Sequence, residues 1–332
     1  MSAARPTVLA LGHRFASLEI ETAVLDGLAG VVDANLLAGE ALERALAEAS
    51  VVMLGSRGRL DAPAVRGLPG CRAIVRYGIG VDNIAVAEAT ARGILVANVP
   101  EYCIQEVSDH TVALILAANR RLVAGNEAVR QGNWGPAVMA GTPRLATLTV
   151  GVVGFGRIGQ EVARKLLPLV ARVLAYDPYL PAEEIAAHGA APAGLDELLG
   201  ASDFVTINCP LTPASRHLLN AETLARMKPG AWLVNTARGE IVDEEALVEA
   251  LQVGHLGGAA LDVLTVEPPA PGARVARLPN VILTPHVAWV STQATADLQR
   301  LAAEEARRVL EGQRPRWLVN PEAWAESGGQ DS

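Results

Sequence analysis

The sequence predicts an α/β chain built from two doubly wound, parallel-sheet domains. Three observations carry this. Short apolar runs alternate with helical patterns almost from end to end, as they do where strand–helix–strand units build parallel sheets. The length, 332 residues, is that of two ordinary domains. Midway along, Leu148–Val153, a fully buried strand by composition, is followed at once by a glycine-rich turn and a helical stretch, Gln160–Leu167, and the alternation starts again.

In the first hundred residues, strands are expected at Val8–Leu11, Val51–Leu54, Ala73–Arg76 and Leu95–Val99. Helical stretches between them include Glu40–Ala49 and Ile84–Arg92, the latter stopped by Gly93. One long helical pattern covers about Glu106–Arg130, with Val107, Ala113, Leu114, Ala117 and Ala118 as its apolar positions. Gln131–Thr147 holds three Gly and two Pro with little periodicity and reads as a long loop. After Leu148–Val153, strands are expected at Val173–Tyr176, Phe204–Asn208, Trp232–Thr236, Ala259–Val263 and Val281–Thr284. A long helix, Thr292–Leu310, and a short polar tail close the chain. The expected division is a central domain, 101–290, inserted into a domain formed by 1–100 and 291–332. The helices near 106–130 and 292–310 would cross between the domains as a hinge.

Composition narrows the function. Half the residues are hydrophobic and 19% are charged, enough for ordinary cores, and with 4% aromatics the packing falls to Ala, Val and Leu. A net charge of −8 gives no basic footprint for nucleic acid and disfavours an anionic membrane surface. Cys71, Cys103 and Cys209 form no CxxC pair, so neither a disulfide framework, a zinc site nor any other metal site is expected. The opening Met-Ser-Ala-Ala-Arg-Pro lacks the apolar core of a signal peptide. The longest apolar run, Val112–Ala118, is too short to span a bilayer. A cytoplasmic location follows as the expectation.

Gly154-Phe-Gly156-Arg157-Ile158-Gly159 matches GxGxxG between a buried strand and a helix, the context that a dinucleotide-binding Rossmann turn requires. Gly154 allows the tight turn, Gly156 a close approach to pyrophosphate, and Gly159 close packing of helix on strand. Asp177, at the end of strand Val173–Tyr176, can accept both adenosine ribose hydroxyls. It would also repel a 2′-phosphate by about 1 kcal/mol in full solvent, and no Arg or Lys follows within Pro178–Ala187. NAD is therefore expected over NADP.

Three further segments fall at expected strand ends, where ligands bind in open α/β sheets. Arg238, in Asn235-Thr-Ala-Arg-Gly239, can grip a carboxylate in bidentate fashion and polarise a neighbouring carbonyl. Glu267-Pro268 follows strand Ala259–Val263, and His286 follows Val281–Thr284. A carboxylate paired to a histidine orients the ring and stabilises imidazolium, so His286 could donate a proton near neutral pH. Singly, each residue has a bland alternative: a surface arginine, a turn, a loop histidine. Together, after a dinucleotide fingerprint, they point to Arg238, Glu267 and His286 as a catalytic set.

Over nearly its full length the chain resembles the D-isomer-specific 2-hydroxyacid dehydrogenases. The resemblance rests on Gly78-Ile-Gly80-Val-Asp82-Asn83, the Gly154–Gly159 fingerprint, Asn235–Gly239, Gly258–Val263 and Thr284-Pro-His286. It implies an NAD-binding Rossmann domain inserted in a flavodoxin-like substrate domain, and hydride transfer between NAD(H) and a small 2-oxo or 2-hydroxy acid. Arg238, Glu267 and His286 match its catalytic residues, and Asp262 matches one that contacts the nicotinamide carboxamide. The resemblance also implies cofactor contacts at Arg157, Ile158, Cys209, Pro210, Thr236, Ala237, Arg238 and His286. The loop Tyr77, Gly78, Ile79, Gly80 would offer N–H groups to the substrate carboxylate, with Arg76 beside it. Within the family, the segments Val75–Gly80, Tyr176–Leu180 and His286-Val-Ala-Trp289 are most similar to the C-terminal-binding-protein subgroup. The alternative function is accordingly an NAD-binding interaction module like a transcriptional corepressor, with vestigial catalysis. The resemblance and the Gln131–Thr147 segment both suggest a homodimer.

Departures from the family bear on the substrate. Its phosphoglycerate dehydrogenases carry an Arg where this chain has Gly55, with Arg57 two residues on, and a C-terminal regulatory domain where this chain has a short tail. Both point away from 3-phosphoglycerate. Glu267 points away from formate dehydrogenases, which carry Gln there. Trp289 could wall the substrate pocket with an apolar face, or simply pack a helix. An unphosphorylated 2-oxo acid with an apolar or thioether side chain is the expected substrate.

Overall fold

A computed structural model describes residues 5–326. Part of the signal-peptide question (Met1–Ala4) and the end of the polar tail (327–332) lie outside the described residues. The first part of the chain runs β1 (Thr7–Leu11), α1 (Glu19–Val24), β2 (Gly30–Asp33), α2 (Glu40–Glu48), β3 (Val51–Leu54), α3 (Ala62–Arg66), β4 (Ala73–Arg76), α4 (Val86–Ala91) and β5 (Leu95–Ala97). The middle runs α5 (Ile104–Asn119), α6 (Leu122–Arg130), β6 (Thr149–Val153), α7 (Arg157–Leu166), β7 (Arg172–Tyr176), α8 (Ala182–Ala187), β8 (Ala191–Pro192) and α9 (Leu195–Ala201). It continues with β9 (Phe204–Ile207), α10 (Ala221–Ala225), β10 (Trp232–Asn235), α11 (Glu244–Gln252), β11 (Gly258–Leu261) and β12 (Val281–Leu283). The chain ends with α12 (Thr292–Leu310) and α13 (Pro321–Glu326). Two compact units result, one of residues up to 103 plus those from 291 on, the other of 104–290. The first break falls at 103 rather than at 100.

The first unit is a five-stranded parallel sheet in the order β2-β1-β3-β4-β5, the flavodoxin-like order. Its central strands are covered on both faces: Val51–Leu54 and Ala73–Arg76 are buried at every position, as a sheet covered by helices requires. α12 starts on a Ser291 cap, whose hydroxyl accepts from the Ala294 N–H at 2.8 Å. Its face Ala294, Leu298, Ala302, Ala306 and Val309 is buried, and it packs on α1, β3 and β4.

The second unit is a seven-stranded parallel sheet in the order β12-β11-β10-β9-β6-β7-β8. β6 lies between β7 and β9, so the strand order reverses there, and Val153 pairs with both Tyr176 and Ile207. Everything that follows β6 therefore emerges at the switch point, where open α/β sheets bind ligands. One face of the sheet is covered by α5 and α7 through Leu114, Ile115, Val162 and Leu166. The other is covered by Leu198, Leu224 and Leu247, on α9, α10 and α11.

The structure departs from the sequence expectations at edges and in one helix. β2 and β8 were not expected; both are short edge strands, and β2 is half-buried at every position, so neither shows a strong apolar pattern. The tail contains α13. The 106–130 pattern is two helices, because Arg121 adopts a left-handed conformation (φ 47°) between α5 and α6. No Gly or Pro marks that break. The periodicity continues into α6, but Leu122, Val123 and Val129 there are exposed. Gln131–Thr147 is irregular apart from two short 3-10 turns, Pro136–Met139 and Leu145–Thr147.

Candidate active site

In the second unit, the turn after β6 is shaped by close approaches. Gly154 has φ 87°, and a Cβ there would stand 2.5 Å from the Cys209 backbone nitrogen. A Cβ on Gly159 would stand 2.2 Å from the Gly154 carbonyl oxygen. These two positions admit only glycine. Gly156 differs: no atom lies within 4 Å of its would-be Cβ. It caps α7, which has no side-chain cap, so backbone N–H groups face open space. That open cradle fits a pyrophosphate. Asp177 accepts from the Phe155 N–H at 2.8 Å and the Tyr179 N–H at 3.0 Å, one carboxylate oxygen each. Each oxygen keeps a second acceptor site for a ribose hydroxyl, and the same carboxylate fastens the Gly-rich turn to β7. Cys209, at the end of β9, is partly buried; burial first, then the Asp177 charge, push its thiol up to about 11, so it remains neutral. These residues fit the adenosine and phosphate portions of NAD.

Arg238 follows β10. The Asn235 side chain, at 1% exposure, closes the turn: its oxygen accepts from the Ala237 N–H (3.0 Å) and its amide donates to the Arg238 carbonyl (2.8 Å). Gly239 lies against the next loop so tightly that a Cβ would stand 2.0 Å from the Leu264 carbonyl carbon. Leu264 in turn donates its N–H to Glu267 Oε1 at 2.9 Å. The contact at Gly239 thus brings the Arg238 and Glu267 loops together.

Glu267 Oε2 lies 2.6 Å from His286 Nδ1, each side chain about one-third exposed (35% and 34%). Burial opposes the Glu267 charge. The hydrogen bond and charge of His286, the Leu264 N–H and the Arg238 guanidinium outweigh it and hold the carboxyl below its ordinary value. Nδ1 is committed to Glu267, so Nε2 is the nitrogen left to exchange a proton.

Asp262, 2% exposed, holds the loop that carries His286. Oδ1 accepts from the Val287 N–H (3.0 Å) and the Thr284 hydroxyl (2.5 Å), and Oδ2 from the Ala288 N–H (2.9 Å). Its backbone carbonyl accepts from the His286 N–H at 2.8 Å. Behind Thr284 stands His110 of α5, with Nε2 3.0 Å from the Thr284 hydroxyl and 3.7 Å from Asp262 Oδ1. Sequence reasoning found Asp262 but missed Thr284 and His110. A signal existed, since His110 lies three and four residues from buried Val107 and Leu114, on the inward face of α5. Thr236 is likewise tied to α5, its hydroxyl 2.8 Å from that of Thr111. Trp289 follows this loop and is half-buried.

In the first unit, the Tyr77–Gly80 loop follows β4, and Arg76 lies beside it. Arg76 is 7% exposed, and its guanidinium donates to the Leu54 and Tyr77 carbonyls and to Asn83 Oδ1 (3.2 Å). Its charge is engaged in building the loop. Tyr77 points inward, its hydroxyl donating to Glu21 at 2.8 Å; burial first, then Glu21, push the phenol well above its ordinary value. The Gly78 N–H also has a partner, the Arg76 carbonyl at 2.9 Å. The N–H groups of Ile79 and Gly80 have none among the described residues. Gly55 cannot carry a side chain, because a Cβ would meet the Gly12 carbonyl oxygen at 2.2 Å.

Among the described residues, no three His, Cys, Asp or Glu side chains are grouped to hold a metal ion, and no helix is long and apolar enough to cross a membrane. The model of the D-isomer specific 2-hydroxyacid dehydrogenase NAD binding domain matches residues 112–288, more than half of the 332. The chain belongs to this family. A glyoxylate reductase of Thermofilum pendens is 40% identical over 276 residues, covering 80% of this chain and 79% of its own. A D-3-phosphoglycerate dehydrogenase of Mycobacterium tuberculosis is 38% identical over 269 residues, covering 81% of this chain and 51% of its own. The chain therefore spans about half the length of that relative. Among solved structures, the D-lactate dehydrogenase from Aquifex aeolicus, complexed with NAD and lactic acid, matches with a TM-score of 0.86. It is 27% identical and covers 95% of this chain and 99% of that one.

Proposed function

We propose that this member of the family transfers a hydride between NAD(H) and a small 2-oxo or 2-hydroxy acid of D configuration. The observation that carries the proposal is the 2.6 Å pair of His286 Nδ1 and Glu267 Oε2, with Arg238 turned to the same loop by Asn235 and Gly239. The bound nicotinamide supplies the hydride to the carbonyl carbon. His286 Nε2–H gives its proton to the carbonyl oxygen, and Glu267 stabilises the ring while it is charged. Arg238 binds the carboxylate and stabilises the oxygen as negative charge develops there. In the oxidative direction His286 takes the hydroxyl proton back. Gly154, Gly156, Arg157, Ile158, Gly159, Asp177, Cys209, Pro210, Thr236, Ala237 and Asp262 are the proposed cofactor contacts. Ile79 and Gly80 are the proposed substrate contacts of their own unit, and Arg76 supports them from beneath. The Trp289 assignment to the substrate side is part of the proposal. Residues 104–290 are proposed as the NAD-binding domain and the remainder as the substrate domain.

The test is NADH oxidation by purified protein across pyruvate, glyoxylate, hydroxypyruvate, 2-oxoisocaproate and 4-methylthio-2-oxobutyrate; no turnover with any 2-oxo acid would falsify the proposal. The named relatives are dehydrogenases or reductases and add nothing to the corepressor alternative. A homodimer is also proposed: Leu122, Val123, Val129 and Trp134, the last 89% exposed, stand out to solvent on α6 and the segment after it. A cytoplasmic location accords with three free thiols, and cell fractionation checks it.

A further inference from the structure

Three non-glycine residues have positive φ among those described, and one is His286, at φ 55°. Left-handed backbone is unfavourable for such a residue, so the surrounding contacts must hold it there. They do so through one buried carboxylate. Val287 and Ala288 can only donate their N–H groups, and both donate to Asp262. A carboxylate only accepts, so the Thr284 hydroxyl, 2.5 Å away, donates to it as well. That commits the hydroxyl hydrogen. What Thr284 offers His110 is a lone pair, and His110 Nε2, 3.0 Å away, must carry a proton to meet it.

We infer that His110 is a positioning residue for His286, holding the left-handed turn in place through Thr284 and Asp262. Its Nε2–H fixes the direction of the Thr284 hydroxyl and lies 3.7 Å from Asp262 Oδ1. Asp262 is 2% exposed, so water does not stand in for a lost donor. If the hydroxyl turns away, Oδ1 loses one of its two donors, and the Val287 bond to the same oxygen loosens with it. The His286 ring moves with its backbone. The kinetic consequence rests on the proposed dehydrogenase reaction; the structural content does not.

His110→Phe keeps the bulk and removes the donor, whereas His110→Gln can place an N–H near the position of Nε2. The Phe variant should lose about tenfold or more in kcat, since a displacement of about 1 Å at a catalytic group has effects of that size. Its NADH affinity, read by fluorescence titration, should stay within about twofold, because nothing in the phosphate cradle changes. The Val287 and Ala288 amides should exchange with deuterium about tenfold faster. The Gln variant should recover both kcat and protection to within about threefold of wild type. Unchanged kcat and exchange in the Phe variant overturn the inference, as does a Gln variant no better than Phe at equal Tm. If His110→Phe does not fold, Thr284→Val against Thr284→Ser makes the same comparison one link along. If wild type reduces no 2-oxo acid, the reaction assignment fails alone and amide exchange still decides the positioning.

Discussion

His286 and Glu267 meet through Nδ1 and Oε2, and that choice of nitrogen leaves Nε2 for the substrate. Removing the ring in His286→Ala should cost on the order of 10²-fold or more in kcat, while NADH titration shows binding intact, because the substitution leaves the glycine-rich turn before α7 as it is. A variant with near-normal turnover would refute the proton-donor role. Glu267 tests the electrostatics. Its carboxyl lies below the ordinary value, so the charge and any stability it adds are complete above the unfolded value. They are lost only as pH falls through the lowered one. Wild-type kcat/KM should therefore hold as pH falls until the lowered Glu267 value is reached, whereas Glu267→Gln, which has no carboxyl to protonate, should show a lower rate without that acid-side fall. Superimposable pH profiles for kcat/KM would show that Glu267 does not act through His286.

At the scale of elements, the glycines of the β6–α7 turn separate folding from binding. Gly156 has an ordinary φ of −70° and open space where a Cβ would go. Gly156→Ala should shift stability by no more than about 0.5 kcal/mol. It should nevertheless weaken NADH at least about tenfold, because the methyl takes the room needed by the pyrophosphate. Wild-type NADH affinity in that variant would show that the phosphates bind elsewhere. Gly154→Ala is the contrasting case. Its φ of 87° and the Cys209 backbone 2.5 Å from the new Cβ should cost about 2–4 kcal/mol in chemical denaturation. Gly239→Ala combines both effects: the Leu264 carbonyl carbon at 2.0 Å must move, carrying Glu267 away from Arg238. Turnover there should fall further than NADH affinity does.

For the whole molecule, the predictions concern which cofactor and which acid it uses, and in what assembly. NADH should exceed NADPH at least about tenfold in kcat/KM, equivalent to about 1.4 kcal/mol, on the strength of Asp177 and the lack of a following cation. Equal efficiencies would remove Asp177 as the discriminator. Because Asp177 also holds the Phe155 and Tyr179 N–H groups, Asp177→Ala should narrow the preference mainly by weakening NADH. Gly55 has no room for a phosphate-binding arginine, and Arg76 is tied to Leu54, Tyr77 and Asn83. 2-Oxoisocaproate or 4-methylthio-2-oxobutyrate should accordingly be reduced more efficiently than 3-phosphohydroxypyruvate, with Trp289→Ala eroding the preference. A better rate with the phosphorylated acid would assign exposed Arg57 to its phosphate. Light scattering should give twice the chain mass, and Trp134→Glu should lower it; a wild-type monomer ends that proposal.

Much of this was legible in the residues because period and spacing record burial. Val51–Leu54 and Val150–Val153 hold no polar side chain because both sheet faces are covered, and that marks them as parallel strands. Gly154, Gly156 and Gly159, with Asp177 beyond, declare a nucleotide turn because only that residue set allows both the close contacts and the charge. Edge strands β2 and β8 were silent, since a strand covered on one side or barely two residues long leaves no apolar run. The break at Arg121 was silent too, being set by surroundings rather than by a Gly or Pro. By itself the sequence determined the α/β class and the glycine-rich turn after β6, and it singled out Arg238, Glu267 and His286 as candidates. Only the tertiary structure decided that Arg76 and Tyr77 face inward, that Nδ1 rather than Nε2 meets Glu267, and that His110 stands behind the loop carrying His286. Those outcomes depend on directions of hydrogen bonds between residues far apart in the chain, and linear spacing does not encode them.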